Sequence, residues 1–347
     1  MAHEIDLDKY QIRTDLLIET IESAKEKAVD LPVTKETHDD ITVTIVDIEK
    51  KHESILNKKL GRYITIEYDD ISDHHNKEKV ANVFKQQLQS LLSYINIGEK
   101  ATCMVIGLGN EKSTPDALGP TAIQNILVTK HLFDLEGNVE SGFREVSAFS
   151  PGVMGSTGLE TSKIVVGVVK EIKPDFLLII DALAAQSIAR VNKTIQMTNT
   201  GINPGSGIGN KREEISLDTV GIPVIAIGIP TVVDAVTIVS ETINFMFKHI
   251  SYQKRNLDRP INKLIAPGTE NYLAKNNNED LDKVEKTNLL GIVGNLTDEE
   301  IKQLIYEVLT PIGYNLMVTP KEIDFVIANL SEVLAEGING ALHQKIS

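Results

Sequence analysis

Two aspartates in the sequence stand at positions where a carboxylate could do chemistry. Asp116 lies in the glycine-containing segment 107–120, which a predicted strand enters and a predicted helix leaves, and Asp181 directly follows the apolar run 176–180. If both strands run parallel, both carboxylates lie at the carboxyl edge of one sheet, where ligands bind in α/β folds. Two carboxyl groups in contact can share a proton, because like charges at that distance cannot both ionise. One can then act as general base on a water molecule and the other as general acid, which is the chemistry of peptide hydrolysis.

Each aspartate taken alone also has a structural interpretation. Asp116 precedes the predicted helix and could be its N-cap acceptor. Asp181 could form a cap or a loop salt bridge, since a carboxylate next to a buried strand is costly unless it is paired or hydrogen-bonded. The pair is more informative than either member, but spacing alone leaves the structural and the catalytic interpretations open.

Other catalytic motifs fit the sequence less well. Gly107 and Gly109 could open a dinucleotide-binding fingerprint, but Lys112 stands where the third glycine belongs. The glycine-rich segment 205–211 is not a phosphate-binding P-loop, because Lys211 is followed by Arg212 instead of Ser or Thr. The sequence contains no Gly-x-Ser-x-Gly elbow and no His-Glu-x-x-His motif. The two aspartates therefore remain the leading candidates.

Hydrophobic periodicity predicts the elements that position these aspartates. Strands are predicted at 41–46, 63–68, 102–109, 143–146, 176–180, 191–197 and 222–227. Helices are predicted at 16–29, 76–94, 118–131, 158–172 and 231–249. Capping boxes predict the helix at 158–172 and two C-terminal helices, and are formed by the pairs Thr157 and Glu160, Thr297 and Glu300, and Thr319 and Glu322. The alternation of strands and helices predicts an α/β fold of three layers, α/β/α, with a mostly parallel central sheet and C-terminal helices.

Composition excludes several classes of protein. The chain has 347 residues and a net charge of −14, from 49 acidic and 35 basic residues, which argues against a surface that coats nucleic acid. A single cysteine, Cys103, rules out an internal disulfide framework and a thiolate-rich zinc site. The apolar stretch 222–247 contains Pro223, Pro230, Asp234 and Glu241, so it is interpreted as a strand and a helix instead of a membrane span. With no apolar leader visible, we expect a cytoplasmic protein.

Six sequence blocks, in order, resemble those of the germination protease family of spore-forming bacteria, also called the spore endopeptidase. The blocks lie at 13–16, 107–120, 149–155, 181–184, 200–212 and 221–231. The block at 107–119 is also similar to the hydrogenase-maturation endopeptidases, which have a related three-layer α/β fold. Through these blocks the resemblance points to supporting loop residues at Gly107, Gly109, Asn110, Gly119, Gly205 and Gly207.

The resemblance implies a specific function. Members of the family degrade the small acid-soluble proteins that coat spore DNA, and they cleave after an acidic residue and before an apolar one. They are made as zymogens that remove their own N-terminal arm, and they form homotetramers in the cytoplasm of the forespore. The family's catalytic pair falls on Asp116 and Asp181, and its self-cleavage point falls between Asp15 and Leu16.

The resemblance also gives a domain organisation. We expect a propeptide at 1–15, an α/β peptidase domain at 16–290 and a C-terminal helical segment at 291–347 that packs on it. No cofactor, no direct nucleic-acid partner and no membrane partner are expected. Acidification should favour the singly protonated carboxyl pair and so trigger self-cleavage.

Two alternatives to a carboxyl-pair peptidase stay open. The same carboxylates could ligate a metal ion, since hard cations prefer carboxylate oxygens, and the chain would then be a metal-dependent peptidase. A non-enzymatic spore binding protein of the same fold is the third possibility.

Overall fold

The computed structural model describes residues 16–25, 32–56, 58–136, 139–205, 212–256, 281–309 and 316–344. The expected propeptide 1–15, with Asp15, lies outside these residues, as does Gly207. The chain divides into two compact units, one of residues 13–233 and 319–347, the other of residues 1–12 and 234–318. The expected division into propeptide, peptidase domain and C-terminal segment stays a prediction.

The larger unit is built around a sheet that combines a parallel and an antiparallel half. Its strands, in the spatial order β1-β2-β3-β7-β8-β6-β4-β5, are β1 Val33–His38, β2 Ile41–Ile48, β3 Gly61–Glu67, β4 Cys103–Gly107, β5 Val146–Phe149, β6 Phe176–Ala185, β7 Thr194–Thr198 and β8 Val224–Asp234. Strands β5, β4, β6 and β8 are mutually parallel, and β8, β7, β3, β2 and β1 are joined by antiparallel pairs. The α/β class is confirmed, with the parallel arrangement confined to the half that carries the two aspartates.

The helices, in chain order, are α1 Leu17–Lys25, α2 Lys50–Leu56, α3 His74–Tyr94, α4 Leu118–Ile123, α5 Lys130–Glu136, α6 Met154–Thr157, α7 Thr161–Ile172, α8 Leu217–Val220, α9 Ala235–Asn256, α10 Lys283–Leu290, α11 Asp298–Leu309 and α12 Ile323–Leu342. In the smaller unit, which also holds the two-residue strand β9 Met317–Val318, helices α9 and α11 pack together through Val236, Ile301 and Ile305. Within the described ranges, no helix is long and apolar enough to cross a membrane.

Alternating side chains of the sheet bury two separate faces, which gives the three layers. One face carries Leu178 and Ile180 of β6 and is covered by α3, α4 and α12. The opposite face carries Leu177 and Ile179 and is covered by α7. Because successive side chains of a strand point to opposite faces, this alternation assigns Asp181 to the face that α7 covers.

The C-terminal helix α12 buries an apolar stripe whose members recur every three or four residues. All four stripe residues are buried: Ile323, Ile327, Leu330 and Leu334. At Gly337 a side chain would overlap the ring of Phe84, so α12 lies directly on α3. The same helix also lies against the short 3-10 turn Thr114–Asp116, so it supports the turn that carries Asp116.

Two of the three predicted capping boxes are wrong. Gly158 adopts a left-handed φ of 72° and ends α6, so the predicted helix begins at Thr161 with Glu160 as its N-cap. At the C-terminal helix, the Thr319 hydroxyl donates to the Thr231 carbonyl, and α12 begins at Ile323. The remaining box is confirmed, because the Glu300 N–H donates to Thr297 Oγ1 at 3.2 Å and the Thr297 N–H donates to Glu300 Oε2 at 2.7 Å.

Several predicted boundaries also differ from the structure. The expected helix 118–131 is two helices, α4 and α5, and the expected strand 143–146 is β5, three residues later. Strands β6 and β8 both continue well beyond their predicted ends at 180 and 227, because residues 181–185 pair with residues 228–233. Residues 231–234, expected to begin a helix, therefore belong to β8.

We predict that Leu330→Ala lowers the free energy of unfolding by about 2–5 kcal/mol, because it leaves a cavity in the core that α12 forms with α3, α4 and the sheet. Phe325→Ala on the same helix is the control, since the Phe325 side chain is 58% exposed. Urea unfolding of both variants measures the difference. Equal losses in the two variants would contradict the packing of α12 described here.

Candidate active site

Asp181 lies inside a strand instead of directly after one. Strand β6 continues through it to Ala185, and Asp181 pairs in parallel register with Gly228 of β8. The side chain is 6% exposed, and its Oδ1 accepts the N–H of Ala182 at 3.0 Å. The carboxylate is therefore held at a fixed point of the sheet, because β6 pairs with β8 both before and after Asp181.

Asp116 reaches the same edge from the neighbouring strand. Strand β4 ends at Gly107, a loop follows, and the 3-10 turn Thr114–Asp116 places Asp116 just before α4. Asp116 Oδ2 accepts the N–H of Asn110 at 2.9 Å, which closes the loop on itself. The main chain of Asn110 therefore contacts the aspartate directly, and its supporting role stays a prediction.

The loop of Asp116 lies directly beside the main chain that leads into Asp181. The Leu108 N–H donates to the carbonyl of Ile180, the residue before Asp181, at 2.8 Å. The turn that carries Asp116 also lies against β6. The structure therefore brings Asp116 and Asp181 to one sheet edge, as the sequence predicts.

Two glycines make this close approach possible. Gly109 has a φ of 120°, and a side chain there would overlap the Asp116 carbonyl. At Gly119 a side chain would overlap both the Leu108 main chain and the Ile180 carbonyl. Because any other residue would push the loop, α4 and β6 apart, these glycines let the loop of Asp116 pack directly against the strand of Asp181.

Strand β8 and the loop after β5 anchor the main chain of the site. The Thr231 hydroxyl donates to the Pro115 carbonyl at 2.6 Å, and the Thr319 hydroxyl in turn donates to the Thr231 carbonyl at 2.9 Å. The Ser150 hydroxyl donates to the Gly107 carbonyl at 2.9 Å. These three hydroxyls were not predicted as supporting residues. The sequence signal for Thr231 and Ser150 was their place inside the blocks 221–231 and 149–155.

The surroundings of Asp116 perturb its protonation. Burial raises the pKa of the Asp116 carboxyl above its ordinary value of 3.8, and the Asn110 N–H and the positive charge of Arg212 offset part of that rise. Arg212 was not predicted as a site residue. Its signal was a basic residue directly after the glycine-rich segment 205–211.

The remaining predicted residues fall in three groups. Gly107 ends β4 at the site, and a side chain there would overlap the Gly119 carbonyl. Gly205 is described with a φ of 71°, but Gly207 lies outside the described residues, so their supporting role stays a prediction. Leu16 is fully buried just before α1, whereas Asp15 lies outside the described residues.

A metal centre was the chief alternative use of these carboxylates. Within the ranges that the structure describes, no group of three or more His, Cys, Asp or Glu side chains is arranged to hold a metal ion.

Comparisons with known proteins give a consistent match. The family model described as germination protease matches residues 10–347. The germination protease of Bacillus subtilis (strain 168) is 49% identical over 356 residues, which cover 99% of this chain and 96% of that protein. The germination protease of Bacillus cereus (strain ATCC 10987 / NRS 248) is 47% identical over 357 residues, which cover 100% of this chain and 97% of that protein.

Among solved structures, the [NiFe] hydrogenase maturation protease HycI from Thermococcus kodakarensis KOD1 is 17% identical. The match covers 42% of this chain and 80% of that chain, with a TM-score of 0.28.

We predict that Asp116→Asn changes how stability depends on pH. A carboxyl whose pKa is higher in the folded than in the unfolded chain binds more protons when folded, so ionisation costs stability as pH rises through the interval between the two values. Asn keeps an oxygen to accept the Asn110 N–H but cannot ionise. Relative to the parent, the variant should therefore gain stability as pH rises from about 3 to about 7.

Urea unfolding of the parent and Asp116→Asn at several pH values measures this difference. Asp218→Asn is the control, because Asp218 has an 84% exposed side chain. A difference between parent and Asp116→Asn that stays constant with pH would contradict the raised pKa.

Proposed function

Because the chain belongs to the germination protease family, which makes it a protease of spore germination, we propose that it degrades small acid-soluble spore proteins by means of the carboxyl pair Asp116 and Asp181. The observation that carries this proposal is the approach of the two aspartates to one sheet edge, held by the Leu108 N–H on the Ile180 carbonyl. The protein substrates are expected to be cut after an acidic residue and before an apolar one.

The proposed mechanism uses one proton shared between the two carboxyl groups. The ionised member accepts a proton from a water molecule, whose oxygen attacks the peptide carbonyl carbon. The protonated member donates its proton to the carbonyl oxygen or to the leaving nitrogen. Burial favours a retained proton, which agrees with the direction of the Asp116 pKa. Carboxyl groups that share a proton titrate as a unit, so acidification toward the singly protonated state should activate the proposed pair.

We further propose that the chain is made as a zymogen that removes residues 1–15 by cutting between Asp15 and Leu16. The bond fits the proposed specificity, because an acidic residue precedes an apolar one. Homotetramers in the cytoplasm of the forespore are the assembly and location that we expect.

We predict that mild acidification in excess chelator removes residues 1–15 from the parent chain but not from Asp181→Asn or Asp116→Asn, because each variant lacks one member of the pair. Mass spectrometry of the intact chain measures the product. Asp175→Asn is the matched control, since Asp175 precedes β6 at its opposite end and accepts the N–H of Thr102 at 2.6 Å. This control should process at the parental rate.

The outcomes separate the alternatives. Processing that stops on chelation and returns with a divalent ion would favour the metal-dependent peptidase. Processing at an unchanged rate in Asp181→Asn would exclude the carboxyl pair. Unchanged loss of residues 1–15 in Asp15→Ala would show that the cleavage point is assigned to the wrong bond.

A further inference from the structure

The chain that follows the proposed cleavage point is bound to the sheet by polar contacts beside Asp181. Leu16, whose nitrogen belongs to that bond, is fully buried. The Leu17 N–H at the start of α1 donates to Oε1 of Gln196 on β7 at 2.5 Å. The residue two places after the bond is therefore held through its main chain, whatever its side chain.

Gln196 lies in the same row of the sheet as Asp181. Gln196 pairs with Gly228 of β8, and Gly228 pairs with Asp181 of β6. All three positions share one face, because their neighbours in sequence pack into the opposite core. Adjacent strands lie about 4.8 Å apart, so the main chains of Gln196 and Asp181 are about 10 Å apart.

A second contact holds the residue four places after the bond. The Glu19 side chain is 4% exposed, and its two carboxylate oxygens accept the N–H of Gln186 at 3.0 and 2.9 Å. The Arg190 guanidinium lies 3.6 Å from Glu19 and also 3.4 Å from Glu67. Gln186 directly follows β6, the strand of Asp181. This arrangement can recognise a carboxylate at one defined distance from the cleaved bond.

Polar side chains continue this row of the sheet on the side of Gln196 that faces away from Asp181. Beyond Gln196 it passes through Thr65 of β3 and Thr44 of β2. Thr44, and Thr194 next to the row on β7, are 1% exposed, and their hydroxyls have no hydrogen-bond partner among the residues that the structure describes. Buried polar groups normally have a partner, so a polar chain bound on this face can form hydrogen bonds with these two hydroxyls.

We propose that this face, with Gln196, the Gln186 N–H and Arg190 as its polar contacts, is the subsite for the substrate residues that follow the cleaved bond. Helix α1 occupies it as the enzyme's first substrate, and protein substrates later take its place. Gln196 binds the main-chain N–H of the second residue after the bond. Arg190 and the Gln186 N–H bind a carboxylate on the fourth. This proposal rests on the proposed self-cleavage between Asp15 and Leu16.

The test compares synthetic peptides of residues 10–22 as substrates of the self-processed full-length chain. One peptide carries Glu19→Gln, and the control peptide carries Glu22→Gln, which removes the same charge. The enzymes are the parent, Arg190→Gln and the control Arg62→Gln, which removes an arginine whose ion pair is with Asp47 on the adjacent strand.

The parent enzyme should cleave the Glu19→Gln peptide with a kcat/KM about tenfold lower than that of the parent peptide, which is the effect of losing one hydrogen-bonded charge. The lower kcat/KM should come from a higher KM with kcat unchanged, because the contact exists in the bound ground state. In Arg190→Gln the difference between the two peptides should shrink to about twofold. The control peptide and the control enzyme should each stay within about twofold of the parent values.

Equal cleavage of the parent and Glu19→Gln peptides by the parent enzyme would overturn the acid subsite. So would a tenfold difference that persists in Arg190→Gln, because Arg190 would then be structural only. Since the comparison of peptides leaves the enzyme unchanged, it stays decisive even if Arg190→Gln does not fold. If the parent enzyme cleaves no peptide, the proposed function itself fails, and this proposal with it.

Gln196 is tested by a peptide in which an ester oxygen replaces the N–H of residue 17. In the parent enzyme the ester should slow cleavage between residues 15 and 16 by about fivefold, which is the effect of one neutral hydrogen bond. In Gln196→Ala the ester should cause no slowing relative to the amide peptide. An ester peptide that the parent enzyme cleaves at this bond as fast as the amide would overturn the main-chain contact.

Discussion

The burial of the Asp181 carboxylate within a paired strand is the constraint on which the geometry of the site depends. A buried carboxylate is costly unless hydrogen bonds satisfy it, so its position cannot drift without loss of stability. Strand pairing fixes the main chain on either side, and the Ala182 N–H contributes a hydrogen bond. A second carboxyl can come close only if a loop folds tightly onto the same strand. Gly109 and Gly119 allow that approach, and the Leu108 N–H on the Ile180 carbonyl holds it.

The sequence predicted the existence of β4, β5, β6 and β8, the strands of the parallel half, for a physical reason. Parallel strands are buried on both faces and appear as continuous apolar runs, as at 176–180. The predicted end of β6 was wrong because Asp181 interrupts the apolar pattern, whereas pairing with Gly228 of β8 continues the strand. The edge strand β1 was missed altogether: most of its side chains are exposed, so it has no apolar alternation to detect.

The candidate site also has residues that the sequence predicted and residues that it did not. Asp116, Asp181 and the glycine loop were visible because each adjoins an apolar strand in its own stretch of sequence. Thr231, Ser150 and Arg212 reach the loop from distant segments, and the Asp181–Gly228–Gln196 row joins three strands. No local pattern encodes such a row, since it exists only once register is set. Helix α12 was predicted as a helix, but its contact with the Asp116 turn depends on tertiary packing.

Helix α1 places apolar residues on a sheet face that also carries polar side chains. This is a local conflict of the kind that a protein retains where function requires it. Its apolar residues Leu17 and Ile21 pack on Val46, Ile48 and Tyr63 of the same sheet face, while two hydroxyls on that face have no partner among the described residues. A substrate that forms the same contacts as Leu17 and Glu19 replaces those of α1 with equivalent ones. Those contacts therefore contribute little net free energy to the exchange. The attached helix competes at an effective concentration of about millimolar, as short tethers do. A polar chain that also forms hydrogen bonds with Thr44 and Thr194 gains contacts that the described residues do not make, and that difference favours the substrate.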